Sequence, residues 1–552
     1  MTAALPLLAP RDLAAPLAWR HGVPVSAAQF LGEAALLASS LPARGRPINL
    51  CQDRYRFALG LAAALLRGQT SLMPPNALPE TLSSLQGGGT PAYALVDDAT
   101  LDVGGLPSLF VEPPLAAAPA TGVPLIAADL EAVCLLTSGS TGPPQPHAKR
   151  WGALVANIAA EAERLAELTG RSSLHGLNVL ATVPAQHSYG FESTVLLALL
   201  GGATFDAGRP FYPADIADAL AAVPAPRALV TTPFHLKTLL LAGIALPPVD
   251  LVLSATAPLS PQLAAQAEQV FDGRLVEIYG CTEAGQVAAR RTTAGETWAT
   301  LGALRLWRED DAAGERFLVQ GGHVLVPTPL ADVLELQDEH HFRLLGRAND
   351  LIHVAGKRSS LAHLNFHLNR IPGIADGAFW MPAEHADGIT RPVVFVVAPT
   401  LSAKQVITAL REHLEAAFVP RRVLHVPSLP REATGKLTAQ ALARFARDAL
   451  NDGDSFEIPA DHPAFAGHFP GQPVLPGVVL LTLVMRALEH QPALRQRLGA
   501  TPQIAQAKFL SPVGPGSQVQ VHLHEQGSGV AFEVRRGDVV VARGQLGSGS
   551  AP

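Results

Sequence analysis

Residues 132–142 read Ala132-Val-Cys-Leu-Leu-Thr137-Ser-Gly-Ser-Thr-Gly142. Five apolar residues ending in hydroxyls and glycines predict a short buried strand that runs into a loop. Glycine lets a backbone approach its ligand closely, and amide N–H groups with hydroxyls can wrap phosphate oxygens. An ordinary Ser/Gly surface turn has the same composition. A Walker-type loop is excluded, because no Gly-x4-Gly-Lys-Ser/Thr occurs in the chain. Outward from this point, apolar runs at Val179–Val183, Ala228–Thr231, Leu251–Ser254 and Leu275–Tyr279 alternate with helical segments. That alternation predicts an α/β fold with a parallel or mixed sheet. Upstream, Gln29–Ser40 and Tyr55–Arg67 read as helices, and Gln86-Gly-Gly-Gly-Thr-Pro91 as a loop.

The chain has 552 residues, enough for three or four units. Its 41 Lys+Arg against 47 Asp+Glu give a net charge of −6, which excludes a nucleic-acid binder working by phosphate neutralisation. Three scattered cysteines without a Cys-x-x-Cys argue against a disulfide scaffold or a structural zinc and favour a reducing cytoplasm. Pro6, Pro10 and the lack of a basic start make the N-terminus a poor signal peptide. The longest apolar stretch, Thr194–Phe205, is too short to span a membrane. The polar stretch Asn451–Ser455 reads as a linker, preceded by a helix at Thr438–Leu450. Beyond it, Val478–Leu488 is apolar on nearly every face and predicts a buried helix, and the alternation at Val519, Val521 and Leu523, with Phe532/Val534 and Val539–Val541, predicts strands.

Further motifs follow the glycine loop in order: Tyr279-Gly280-Cys281-Thr282-Glu283, Asp332, Phe342–Arg347, Ala348–Arg358 and Arg431-Glu-Ala-Thr-Gly-Lys436. The series resembles the adenylate-forming superfamily of acyl-CoA synthetases, aryl-CoA ligases and nonribosomal adenylation domains, over roughly residues 20–450. The resemblance implies an adenylate-forming N-terminal domain at 1–345 and a mobile C-terminal subdomain at 346–450. It implies ATP and Mg²⁺, with a carboxylate attacking the α-phosphate and pyrophosphate leaving. By the same resemblance, Thr137, Ser138, Gly139, Ser140, Thr141 and Gly142 hold the β/γ-phosphates, and Thr282 meets the α-phosphate. Glu283 ligates the metal as a hard oxygen donor, with Tyr279 and Gly280 in the same motif. Ala255 and Thr256 line the adenine, Asp332 and Arg347 hold the ribose, and Lys436 bridges the carboxylate and the phosphate. Pro184–Gly190 resembles the acyl-pocket segment, with His187 at the pocket or against the carboxylate. A general base is not required there, because the acid is already ionised at neutral pH.

Two positions depart from the family pattern. The phosphate loop continues Gly142-Pro-Pro-Gln145 where Lys is usual, leaving Lys149 as the next lysine. The hinge position, usually Asp or Lys, is Asn349.

The tail carries Gly467-His468-Phe469-Pro470-Gly471 through Val478, and Lys508–Gly516. It resembles the hotdog-fold 3-hydroxyacyl-ACP dehydratases over 455–552. That family pairs a histidine, here His468, with a carboxylate on the central helix, where this chain has Thr482. A threonine hydroxyl cannot donate a proton as a carboxylic acid does, and Glu489 lies about 10 Å further along the helix. The expectation is an impaired dehydratase that serves dimerisation or acyl-carrier binding. For the whole chain, the combination resembles ligases of aryl-polyene and xanthomonadin-type pathways. It implies activation of a carboxylic acid, aromatic such as a hydroxybenzoate, and transfer to the phosphopantetheine thiol of an acyl carrier protein. Alternatives are a fatty acyl- or aryl-CoA synthetase using free CoA, a bifunctional ligase/dehydratase, and a degenerate nucleotide-sensing scaffold.

Overall fold

The computed structural model describes residues 3–548 except 75, 87–88, 114–116, 138–144, 312–313, 348–350, 355–356, 383–390, 432–436, 451–452, 466–472, 490, 500, 527–528 and 538. By its contacts the chain divides into two compact units, Met1–Thr438 and Ala439–Pro552.

Every apolar run that predicts a strand becomes one: Glu131–Thr137, Asn178–Ala181, Arg227–Thr231, Leu251–Ser254 and Arg274–Cys281. The last four lie side by side and parallel in an eleven-stranded sheet. Their residues are almost all buried, as expected of parallel strands covered on both faces. Beyond Arg274–Cys281 the sheet turns antiparallel through Gly285–Arg290, Trp298–Thr300, His341–Arg347 and Asp332–Leu336. Glu131–Thr137 belongs to a second, six-stranded sheet and pairs antiparallel with Gln145–Arg150. Thr137 faces Gln145 in that pairing, so a strand hairpin pins both ends of the glycine-rich loop.

Within the first unit, residues 352–423 gather a hydrophobic core of their own around Leu364, Leu368, Phe379, Val394 and Leu410. The three strands Asp376–Trp380, Val393–Val397 and Arg422–His425 form its sheet.

The second unit has five antiparallel strands in the order Gly453–Glu457, Gln518–Gln526, Gly529–Arg536, Val539–Ser548, Pro502–Phe509. Its core includes Val484, Ala487 and Leu488 from the helix Gly477–Glu489. Two expectations need correction here. The stretch expected to be a linker is a strand from Gly453, because an edge strand pairs on one side only and tolerates polar residues. The helix expected to be buried all round exposes a line through Val478, Thr482 and Arg486, spaced four apart on one face.

Candidate functional site

The segments that the sequence singles out cluster at one edge of the large sheet, the carboxyl ends of its parallel strands. Ala255 and Thr256 follow Leu251–Ser254, Tyr279 and Gly280 end Arg274–Cys281, and Pro184–Gly190 follows Asn178–Ala181. In open α/β sheets this edge is where ligands bind.

Thr256 has φ 78°, a left-handed conformation that is a true outlier for a β-branched residue. The strain presents an exposed hydroxyl beyond the buried Ala255. The Tyr279 hydroxyl donates to Asp332 Oδ2 at 2.9 Å, and Asp332 faces Arg347 across the antiparallel pair. The sheet therefore brings together Tyr279, Asp332 and the backbone of Arg347. Trp298 and Phe342 pack on the Tyr279 ring at 5.8 and 5.6 Å and fix its angle. Gly280 admits no side chain: a Cβ there would lie 2.3 Å from the Gly285 carbonyl oxygen, where the chain folds back after Glu283.

The Glu283 turn receives two side chains from Gln145–Arg150, the strand that follows the glycine loop. Lys149 Nζ donates to the Glu283 carbonyl at 2.7 Å, and His147 Nε2 lies 3.9 Å from Glu283 Oε1. Residues two apart on a strand share a face, which is why both reach the same turn. Burial lowers the Lys149 pKa, and the nearby Glu192, Cys281 and Glu283 oppose that shift. Sequence reasoning missed His147 altogether; only its spacing from Lys149 could have marked it. The Glu283 carboxylate itself is about half exposed. One solvent-facing carboxylate suits a Mg²⁺ ion that takes its other ligands from phosphates and water. Among the described residues no group of three acidic, His or Cys side chains could hold a metal.

His187 precedes the short helix Ser188–Gly190, and its carbonyl accepts from the Phe191 amide. The Tyr189 hydroxyl donates to the Thr231 carbonyl at 3.2 Å, joining this segment to the neighbouring parallel strand. Phe191–Leu196 then forms a π-helical turn, a rare widening often found at functional sites. It carries the buried Glu192, whose carboxyl burial pushes up to about 7. Burial also raises the Cys281 thiol to about 12, so it is no nucleophile.

Ser138, Gly139, Ser140, Thr141, Gly142, Asn349, Lys436 and His468 lie outside the described residues, as do Gly87 and Gly88 of the loop expected at Gln86–Pro91. Arg431, five positions before Lys436, is described. Its guanidinium forms a two-pronged bridge to Asp376 at 2.7 Å per bond and lies 5.4 Å over the Phe234 ring. Beside it, Lys237 Nζ donates to the Asn369 carbonyl at 3.2 Å. In the tail, the exposed Thr482 hydroxyl donates to the Val478 carbonyl at 3.0 Å, a bond within its own helix.

Known proteins match both parts of the chain. Family profiles match residues 90–309 as AMP-binding enzyme and residues 453–545 as ApeI dehydratase. The 4-coumarate–CoA ligase of Halorhodospira halophila is 32% identical over 312 residues, covering 54% of this chain and 73% of that protein. The 3-hydroxyacyl-[acyl-carrier-protein] dehydratase FabZ of Gluconacetobacter diazotrophicus is 39% identical over 79 residues, 13% of this chain and 48% of that one. In fold, ATP-bound MatB from Rhodopseudomonas palustris superposes with a TM-score of 0.65 at 19% identity, over 79% of this chain and 97% of that one. No helix among the described residues is long and apolar enough to cross a membrane.

Proposed function

The chain belongs to the AMP-binding enzyme family, is an AMP-forming ligase and ends in an ApeI-like hotdog domain, and from this premise we propose that it activates an aromatic carboxylic acid and passes the acyl group to the phosphopantetheine thiol of an acyl carrier protein. The observation that carries the reading is the convergence of Thr256, Tyr279, Asp332 and the Glu283 turn on one edge of the parallel strands.

In this reading ATP lies along that edge. Ala255 and Thr256 line the adenine, while Asp332, held by Tyr279, and Arg347 take the ribose hydroxyls. The 137–142 loop wraps the outer phosphates from the hairpin that pins it. Thr282 donates to the α-phosphate, where charge accumulates as pyrophosphate leaves. Glu283 ligates Mg²⁺, which neutralises phosphate charge when bound. Lys149 stands at the same turn and supplies the cation that Gln145 withholds from the phosphate loop. Lys436 bridges the attacking carboxylate and the phosphate, and residues 346–450 form the mobile cap that brings it in and swings about Asn349. His187 closes the acyl pocket.

A dehydratase-like domain on the same chain supports carrier-bound acyl groups as the product, since dehydratases named for this chemistry act on acyl carriers. In that domain, 455–552, Thr482 spends its hydroxyl on its own helix and Glu489 sits near the far helix end. Dehydration by His468 without a carboxylate partner is impaired. The exposed Val478 line, the edge strand Pro502–Phe509 and the exposed Phe509 and Leu510 suit a self-pairing dimer surface. A second reading, free CoA as acceptor, is favoured by the name of the 4-coumarate–CoA ligase relative.

Pyrophosphate exchange over a panel of aryl and alkyl acids tests the activation step. Lys436→Ala is expected to lower exchange by roughly 10²-fold or more; unchanged exchange would remove Lys436 from the mechanism. Offering CoA and holo-carrier protein separately and following the thioester decides between acceptors.

A further inference from the structure

Two neighbouring parallel strands of the large sheet part from each other before they end. Asn178–Ala181 and Thr204–Asp206 pair only at Asn178 with Thr204 and at Val179 with Phe205. On their outer sides the ladders run on, to Ala181 with Val230 and to Asp206 with Trp19. The sheet is therefore split at its carboxyl edge, beside the strand that leads into Pro184–Gly190.

Arg54, the first residue of the helix Arg54–Leu66, fills the split. On one side its Nη2 donates to the Ala181 and Val183 carbonyls at 3.4 and 2.8 Å. On the other its Nη1 donates to the Asp206 and Gly208 carbonyls at 3.2 and 2.5 Å, and Nε donates to the Thr194 hydroxyl at 3.2 Å. A guanidinium has five N–H donors in a rigid fork, and here each of them has an oxygen. Carbonyls that lose their ladder partner need donors, and the fork supplies both strands at once. Arg54 is 1% exposed and bonds to neutral oxygens. Burial lowers its pKa to about 10, which leaves it charged at neutral pH. A cation buried in the first turn of a helix, where the dipole opposes it, costs stability.

What the fork holds is the acyl-pocket segment, at both ends. Val183 directly precedes Pro184, and past the other end the Thr194 hydroxyl donates to the Gly190 carbonyl. A third tie joins the middle: Gln186 Nε2 donates to the carbonyl of Cys51, three residues before Arg54. The mount itself is fixed, because the Gln52 and Asp53 amides donate to Asp97 Oδ2 at 2.8 and 2.7 Å.

We propose that Arg54 is a positioning residue for the carboxylic acid: it wedges the two strands apart, sets where Pro184–Gly190 stands and so governs affinity for the acid without touching it. Its bonds go to none of Ala255, Tyr279 and Asp332, which other strands carry, so the effect falls on the acid and spares ATP.

Pyrophosphate exchange by the full chain, with the best acid of the panel, gives KM for the acid and for ATP separately. Arg54→Lys keeps the charge but brings three donors to five oxygens. It is expected to raise KM for the acid by about tenfold, while KM for ATP shifts by less than about threefold. Thr194→Val removes one oxygen of the set at nearly constant volume and carries the test should Arg54→Lys fail to fold, as judged by thermal melting. It is expected to raise the same KM by about threefold. Folded variants with both constants unchanged, or both raised by one factor, overturn the proposal and leave Arg54 a scaffold residue. The proposal rests on Pro184–Gly190 being the acyl-pocket segment, which His187→Ala tests by itself. An acid KM that stays constant in His187→Ala removes that reading, and the inference with it. One that rises there but not in Arg54→Lys or Thr194→Val removes only the role of Arg54.

Discussion

Around Glu283, neighbouring elements send polar groups inward: Lys149 and His147 from one strand, and behind them Asn157, Glu161 and Gln286 from a helix and a second strand. Around Thr482, the helix Gly477–Glu489 offers one hydroxyl, and its own backbone has already claimed it. The ligase portion holds charged groups in place from several directions, whereas the Thr482 face of the tail helix offers a hydroxyl held by its own backbone. A hotdog sheet needs only its apolar alternation to persist, as Val519, Val521 and Leu523 show, so the fold by itself does not carry the chemistry.

The largest effect that could break this comparison is in the ligase. Glu283→Gln is expected to lower pyrophosphate exchange by roughly 10²–10³-fold at saturating ATP; a loss below tenfold would mean that the turn does not serve the phosphates. In the tail the change runs the other way. Thr482→Glu in the full chain is expected to raise dehydration of a 3-hydroxyacyl carrier by roughly 10²-fold, measured as enoyl product. No gain would show that the tail lacks more than a carboxylate. Lys149→Met is expected to raise KM for ATP by about tenfold with kcat less affected, and Lys149→Arg to recover part of it. A fall in kcat with KM unchanged would instead place Lys149 in the transition state.

The smallest effect is a pH dependence. Burial raises the Glu161 carboxyl from 4.5 to about 8, so the folded state holds a proton that the unfolded chain releases. That contribution is fully present below about 4.5 and is lost as pH rises through about 8. The thermal midpoint of Glu161→Gln, relative to wild type, should therefore climb across that window. A constant difference would mean that Glu161 titrates as in the unfolded chain.

The strands at Val179, Ala228, Leu251 and Leu275 were legible because buried parallel strands leave continuous apolar runs. The Tyr279–Glu283 turn was legible from its motif. Glu161, Ser193 and Gln286 were not. Each sits among residues whose local pattern reads as ordinary helix or strand, and their contact spans 32 residues to Ser193 and 93 more to Gln286. Arg431 on Asp376 is hidden the same way, 55 residues apart. The Gly453–Glu457 strand misled in the opposite sense, since composition cannot tell an edge strand from a tether.

Thr256 sets heat resistance against its proposed part in nucleotide recognition. Holding a β-branched residue at φ 78° costs on the order of 1–3 kcal/mol, and glycine would relieve most of it. A lineage or a laboratory screen rewarded only for thermal endurance would drift toward glycine here and discard the hydroxyl proposed to meet the adenine. Under selection for ligase turnover the threonine would return, which makes this residue a gauge of which pressure a population has felt.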